Sequence, residues 1–474
     1  MKRTDIKYNM RRIGKLTCLF MVLCLNAACG DLDIVPEGES TLQKTSDLEL
    51  LLNRKSIHGF PNENLGVIVN EDYGRSFSTV KTQLRNKGTL AYANLAYDES
   101  VDRALLTTKD YRYTDIYEYV NYMNVLLEKV EGSTGSESLK PTMKAEAQVS
   151  RAYYLFLASN IYAKQYDEKT VADEGGVAYP TDANVDEKQQ LSLKQCYDKM
   201  LEDCSDENIA QLLDKGNVNR ITKCGGYAVK ALILFQMKDY AEALVYANKA
   251  LVLNSNIEDR SVIKETSKWN LLPSSSNNIL YVSPLSDMYE YPNWEQLSVE
   301  TVALFEPGDY VKDYAKSSGS PFWDDYYGES DSGIEGCVEA NGDVYCNPWG
   351  ITVEQMMYIV AECEIRTGKI QEGLDMVNKV RKYRIDEDNY APFTATTEEE
   401  AMALLQRAKF IECIGSYVNF FDCKRWNSED KYKKTITRDL GEIGKFSIAP
   451  DSKLWVQPFP TRVMSNNSTF KQNY

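Results

Sequence analysis

Histidine is nearly absent: the 474 residues hold one, His58. A Ser/His/Asp or Cys/His nucleophile would have to use it, and no motif surrounds it, so it reads as a surface or structural side chain. None of the eleven cysteines forms a CxxC pair, which with a single histidine argues against a zinc site of the usual His/Cys kind. There is no GxGxxG, P-loop, HExxH or GxSxG. Acid pairs such as Asp324-Asp325 are expected by chance in a chain with 70 Asp+Glu. These absences point away from catalysis and leave no cofactor or metal to place. Basic residues are outnumbered, 54 against 70, for a net charge of −16. Such a surface disfavours nucleic acid and anionic lipid head groups.

Long apolar runs are also missing. The longest, Leu16 to Leu25, is far short of the ~20 residues a spanning helix needs. It follows Lys2, Arg3, Lys7, Arg11, Arg12 and Lys15, and precedes Asn26-Ala-Ala-Cys29. A basic head, a short apolar run and small residues before a cut describe a secretory signal over 1–28. The cut falls at a cysteine, so Cys29 is the expected lipid anchor. Acyl chains contribute ~0.8 kcal/mol per buried methylene and hold a protein at a membrane without a span. Removing 1–28 takes six basic residues and one acidic residue, leaving 48 against 69, a net of −21. The tether is then lipid rather than protein surface.

Eight cysteines remain beyond Cys29. Six lie in helix-like segments, where a free thiol acts as a small buried hydrophobe. The other two flank Asn341-Gly342, the strongest short hairpin signal. With that pair as the loop, Cys337 faces Cys346 at a non-hydrogen-bonded position, Cα atoms ~4.5 Å apart, inside disulfide range. Export permits oxidation, and a Cys337–Cys346 bridge is expected.

Apolar spacing predicts helices over about 40–54, 109–131, 141–164, 192–213 and 398–418. Residues 223–253 and 354–383 each read as two antiparallel helices, turning at Lys238-Asp239 and at Gly368-Lys369. The two align without gaps at an offset of 130, matching Ala231 with Ala361, Ala243 with Gly373, and Asn248-Lys249 with Asn378-Lys379. Small residues at such spacings let paired helices approach closely, as in tetratricopeptide repeats. Residues 55–108 and 255–350 read as loop-rich, with a candidate strand at Ile279–Val282. The stretch 166–191 reads as a loop, and the tail after 427 as extended. The expected class is mainly α, with a few short strands.

Several segments in order resemble the SusD/RagB proteins of Bacteroidetes. They are Cys29-Gly-Asp-Leu-Asp-Ile-Val-Pro36; Ala145 to Tyr154, with Arg151 and Tyr153; Met356 to Glu362, followed by Gly368, Asn378 and Arg381; Phe410-Ile-Glu412 with Phe421 to Trp426; and Pro458-Phe-Pro460 with Lys471-Gln472-Asn473. The resemblance implies one SusD-like body over 29–474 built on tetratricopeptide-like pairs. Helical repeat parts would span 109–254 and 351–426, and ligand-facing parts 55–108 and 255–350. It implies an outer-membrane lipoprotein on the extracellular face. Such a protein captures oligosaccharide and delivers it, uncleaved, to a SusC-like TonB-dependent barrel. Capture of a peptide nutrient, or a scaffold that binds only protein, are the alternatives.

Family ligand sites follow no fixed motif, so the candidates come from chemistry. Flat aromatics stack on the C–H faces of sugars, and loops can present them. One group is Tyr73, Arg75, Tyr92 and Tyr97. The other is Tyr289, Tyr291, Trp294, Trp323, Tyr326 and Tyr327.

Overall fold

The computed structural model describes residues 42–53, 56–58, 64–73, 80–184, 186–266, 275–285, 294–314, 334, 338–341 and 347–474. The leader, Cys29, Cys337 and Cys346 lie outside the described residues, as do Arg75, Tyr289, Tyr291, Trp323, Tyr326 and Tyr327. Among the described residues, ten helices have nine residues or more. They are α1 (Thr45–Asn53), α2 (Tyr111–Lys129), α3 (Lys140–Tyr162), α4 (Leu193–Asp203), α5 (Lys223–Gln236), α6 (Tyr240–Leu253), α7 (Val353–Arg366), α8 (Ile370–Lys382), α9 (Glu398–Glu412) and α10 (Val418–Asn427).

Their ends follow local chemistry. Asp110 accepts from the Arg112 N–H and starts α2. Pro141 sits in the first turn of α3, where no N–H is needed. Ser192 with Gln195, and Thr397 with Glu400, form capping boxes on α4 and α9. The two helix pairs fall where the offset of 130 puts them. The first turns through Lys238 at φ +67° and the second through Gly368 at φ +87°. In the second pair the helices are in backbone contact. A Cβ added to Gly373 would lie 2.5 Å from the Ala361 carbonyl oxygen.

Several boundaries differ from the sequence reading. The helix expected over 192–213 is broken: α4 ends at Asp203, and Ser205 caps a new helix, Asp206–Gln211. The helix expected to 418 stops at Glu412. The chain turns at Gly415, φ +77°, and enters α10. Residues 55–108 carry short helices at Leu65–Ile68, Val80–Arg85, Leu90–Leu95 and Arg103–Leu106. Within 166–191, Gly175–Ala178 pairs with Gln190–Ser192. The candidate strand at 279–282 starts and ends earlier, at Asn278–Leu280, which pairs with Ile351–Thr352; a separate strand, Ser283–Leu285, pairs with Ser56–His58. The tail holds a hairpin, Ile436–Asp439 with Lys445–Ile448, and a helix Thr461–Asn466 directly after Pro460.

One apolar core runs through α2 to α10 and takes in Trp455, Phe459 and Phe470 from the tail. Cys196, Cys204, Cys224, Cys363, Cys413 and Cys423 are buried free thiols. Burial pushes Cys196 up to about 11 and Cys224 to about 12, so these act as hydrophobes rather than nucleophiles.

Threaded through this core are buried ion pairs. Arg151 donates to both oxygens of Asp203 at 2.7 Å and to Asn124. Arg425 grips Glu362 at 2.6 and 2.9 Å, and Trp426 Nε1 donates to the same carboxylate. Arg381 holds Glu306 at 2.9 and 2.6 Å. Asn473 donates to the carbonyls of Tyr162 and Gly176, pinning the C-terminus. Arg151, Glu362, Arg381, Arg425, Trp426 and Asn473 come from the SusD/RagB-like segments, and each has a structural task.

Candidate functional site

The two loop-rich segments, far apart in sequence, are joined in space. Ser56–His58 lies parallel to Ser283–Leu285, and Asp72 forms an antiparallel bridge with Leu297. Beside the bridge, Ser298 N donates to the Glu71 carbonyl at 3.0 Å. Ser298 Oγ and Thr301 Oγ1 both donate to the Asn70 carbonyl. Val299 N donates to the Tyr73 hydroxyl at 3.2 Å. Trp294–Leu297 then pairs antiparallel with Val338–Asn341, with Trp294 opposite Asn341. The short helix Tyr310–Tyr314 packs with Leu297 and Phe305.

The patch has a rigid base. Arg438, fully buried, donates to Asn70 Oδ1 at 2.9 Å and to the carbonyls of Leu95 (2.5 Å) and Val67. Its guanidinium lies 4.4 Å from the Tyr97 ring centroid. Glu71, also fully buried, accepts from Gly415 N at 2.8 Å and Asn419 Nδ2 at 2.7 Å, which ties the patch to the start of α10. Tyr73 is 1% exposed and Tyr97 7%, so neither presents a ring face at the surface. Burial, opposed by Arg438, raises the Tyr97 hydroxyl to about 12. Tyr92 is half-buried and donates to Asp98. Among the first group of aromatics, then, packing claims Tyr73 and Tyr97. Trp294 keeps its place on a strand of the patch.

A second framework holds Arg260 and Asp309 to the helical body. Glu412 accepts from Arg260 at 2.8 and 2.6 Å and from Arg384 at 3.0 Å. Arg384 also holds Asp309 at 2.5 Å. Burial pushes the Glu412 carboxyl up, but Arg260 and Arg384 outweigh it and keep it below the ordinary range. Glu258 goes the other way. Burial raises it to about 7, with Glu354 and Glu412 adding repulsion that Arg260 only partly offsets. The cluster has more carboxyls than guanidiniums, and burial raises both Glu258 and its neighbour Glu354.

A cleft of about 760 Å³ opens at the start of α2, lined in part by Lys109, Tyr111, Tyr117, Lys188, Arg462 and Phe470. The helical spacing of Tyr113 and Tyr117 signals core, so sequence reasoning did not find it. Among the described residues, no group of three His, Cys, Asp or Glu is placed to hold a metal ion, and no helix is long and apolar enough to cross a membrane.

No curated protein matches the chain. A SusD-like family model described as starch-binding and associating with outer membrane matches residues 44–234, and the SusD family model matches 355–474. Solved structures share the fold over almost the whole length. A SusD superfamily protein from Bacteroides thetaiotaomicron is 14% identical, covering 91% of this chain and all of that one, with a TM-score of 0.65. A SusD-like protein from Bacteroides fragilis is 17% identical over 92% and 98%, TM-score 0.65. A SusD-like carbohydrate binding protein from Bacteroides vulgatus is 13% identical over 91% and 98%, TM-score 0.61. With SusD family models matching in chain order over residues 44–234 and 355–474, the chain belongs to the SusD/RagB family.

Proposed function

We propose that this protein is a lipid-anchored outer-membrane receptor that captures an oligosaccharide on its loop face. It then delivers the ligand, uncleaved, to a SusC-like TonB-dependent barrel. The observation that carries the reading is the joining of 56–73 with 283–301 on one braced patch. That patch carries the strand of Trp294; Arg75, Tyr289, Tyr291, Trp323, Tyr326 and Tyr327 are the further ligand candidates of the reading. A carbohydrate-binding relative with the same fold supports the choice of ligand class. The lipid on Cys29 supplies the anchor, and the acidic body adds no attraction to the membrane.

The test is a glycan array followed by calorimetry on the best ligand. Trp294→Ala combined with Trp323→Ala should weaken binding at least tenfold while leaving the far-UV spectrum intact. Unchanged affinity removes the loop face as the site. Cys29→Ala should release soluble protein, and persistent membrane association would assign the anchoring to the barrel.

A further inference from the structure

A smaller concavity, of about 320 Å³, lies between α9, α10, the tail hairpin and the turn that follows Ser298. Gln406, Arg407 and Phe410 line it from one face of α9, three and four residues apart. Phe410, Trp426 and Ile436 supply its apolar part, and Trp426 is only 3% exposed. Glu300, Gln406, Arg407 and Lys434 supply its polar part.

Two buried polar atoms of this lining have no hydrogen-bond partner: the acceptor Glu300 Oε2 and the donor Gln406 Nε2. The other end of each group is fixed. Glu300 Oε1 accepts from Asp439 N at 2.9 Å, and Gln406 Oε1 accepts from Lys434 Nζ at 3.4 Å. Folded proteins pair nearly all such atoms, because an unmade bond leaves the cost of desolvation unrecovered. The charges are unpaired as well. Arg407 Nε donates to the Leu304 carbonyl at 2.8 Å, and its Nη groups have no partner among the described residues. No ion pair joins Glu300, Arg407 or Lys434 to any described residue. One carboxylate and two cations therefore stand around a single apolar concavity without neutralising one another.

The open positions define the molecule that would fill them. Glu300 calls for a cationic donor, while Arg407, Lys434 and Gln406 Nε2 call for an anionic acceptor. Phe410 and Ile436 call for an apolar body between the two. A neutral sugar answers neither charge. The volume is at the low end of the roughly 300–1,000 Å³ of small-ligand sites, which suits one small molecule rather than a chain of sugar rings. We propose that this concavity binds one free apolar α-amino acid, its ammonium on Glu300 and its carboxylate on Arg407, with Lys434 and Gln406 in support. The site shares Asn70 and Thr301 with the base of the loop patch, but none of the aromatics proposed to meet sugar, and it does not rest on the glycan reading.

Calorimetry with L-leucine, L-phenylalanine and L-tryptophan tests it, against hydrocinnamate and phenethylamine, which each carry one of the two charged groups. At least one amino acid should bind, about tenfold or more tighter than either control. Glu300→Gln still accepts from Asp439 N, so the far-UV spectrum should be intact. It should weaken the amino acid about tenfold and hydrocinnamate less than about twofold. Lys434→Gln, at an exposed side chain, should weaken the amino acid about threefold, and added salt should weaken it further. Trp294→Ala with Trp323→Ala should leave this binding intact, so failure of the loop site and failure of this one are told apart. No binding by any of the three amino acids, equal affinity for a control, or binding indifferent to Glu300→Gln overturns the proposal.

Discussion

Replacing Glu412 with leucine tests how Arg260 and Asp309 are held to the helical body. The carboxylate is 4% exposed and accepts three charge-assisted bonds, two from Arg260 and one from Arg384. Leucine fills similar space but removes the charge. Arg384 keeps Asp309 at 2.5 Å, and Arg260 keeps Glu258 at the longer distance of 3.3 Å. Breaking a buried pair from one side costs about 3–5 kcal/mol, because an under-compensated cation stays in the interior. Here the lower end is expected. With Glu412 gone, Glu258 loses a repulsive neighbour and ionises more readily toward Arg260. Urea unfolding followed by circular dichroism should show a loss of about 3 kcal/mol. The double variant Arg260→Met with Glu412→Leu should recover part of it, giving a coupling of roughly 0.5–3 kcal/mol. A single-variant loss below about 1 kcal/mol, the range of an exposed pair, would refute the claim that this cluster fastens Arg260 and Asp309 to the helices.

Glu258→Gln removes one of the two raised carboxyls of this cluster. Its pKa is about 7 folded against 4.5 unfolded, so the folded state holds a proton the unfolded state has lost, and stability falls as pH rises from 4.5 to 7. The variant should match wild type near pH 4.5 and exceed it by roughly 3 kcal/mol at pH 8 in urea titrations; a pH-independent difference contradicts this. Gly373→Ala should destabilise by about 1–3 kcal/mol despite the better helix propensity of alanine, because the added methyl meets the Ala361 carbonyl at 2.5 Å; a stabilised variant shows that the pair can spread at no cost. Arg438→Lys keeps the charge but cannot span Asn70, Leu95 and Val67 together, so it should cost about 2 kcal/mol in chemical unfolding and weaken oligosaccharide binding with it; unchanged stability separates the patch from its base.

The helix pairs were legible because they are local. An apolar period, a turn at Lys238-Asp239 or Gly368-Lys369 and a small residue at the crossing all lie within 31 residues. The helix α10 was not legible, for the opposite reason. All ten of its residues are buried, so Val418 to Asn427 shows no polar face and no period. The helices at 65–68 and 103–106 are one turn long and carry no period at all. In the candidate site, loop aromatics drew attention to both segments, which the structure joins at Asp72 and Leu297, with Trp294 on a strand rather than a loop. The burial of Tyr73 and Tyr97 was not, since it depends on Arg438 and Val299, which lie more than two hundred residues further along. The cleft was missed because its aromatics sit at helical spacing while its cations come from outside α2, Lys109 just before it and Arg462 from the tail.

The same division explains why a resemblance this diffuse identifies a family but not a ligand. Arg151, Glu362, Arg381, Glu412, Arg425 and Asn473 carry the likeness, and each ends in a buried bond between distant parts of the chain: to Asp203, Arg425, Glu306, Arg260, Glu362 and the Tyr162 carbonyl. A buried charge that loses its partner costs several kcal/mol, against a total stability of about 5–15. Such pairs cannot drift singly without losing a large share of that stability. The aromatics proposed to meet ligand answer to a different constraint. Trp294 stands on a strand whose backbone pairing to Val338–Asn341 uses no side chain, so the residue there can change while the register stays. Stability is thus invested in residues that define the fold, and specificity in residues the fold does not need.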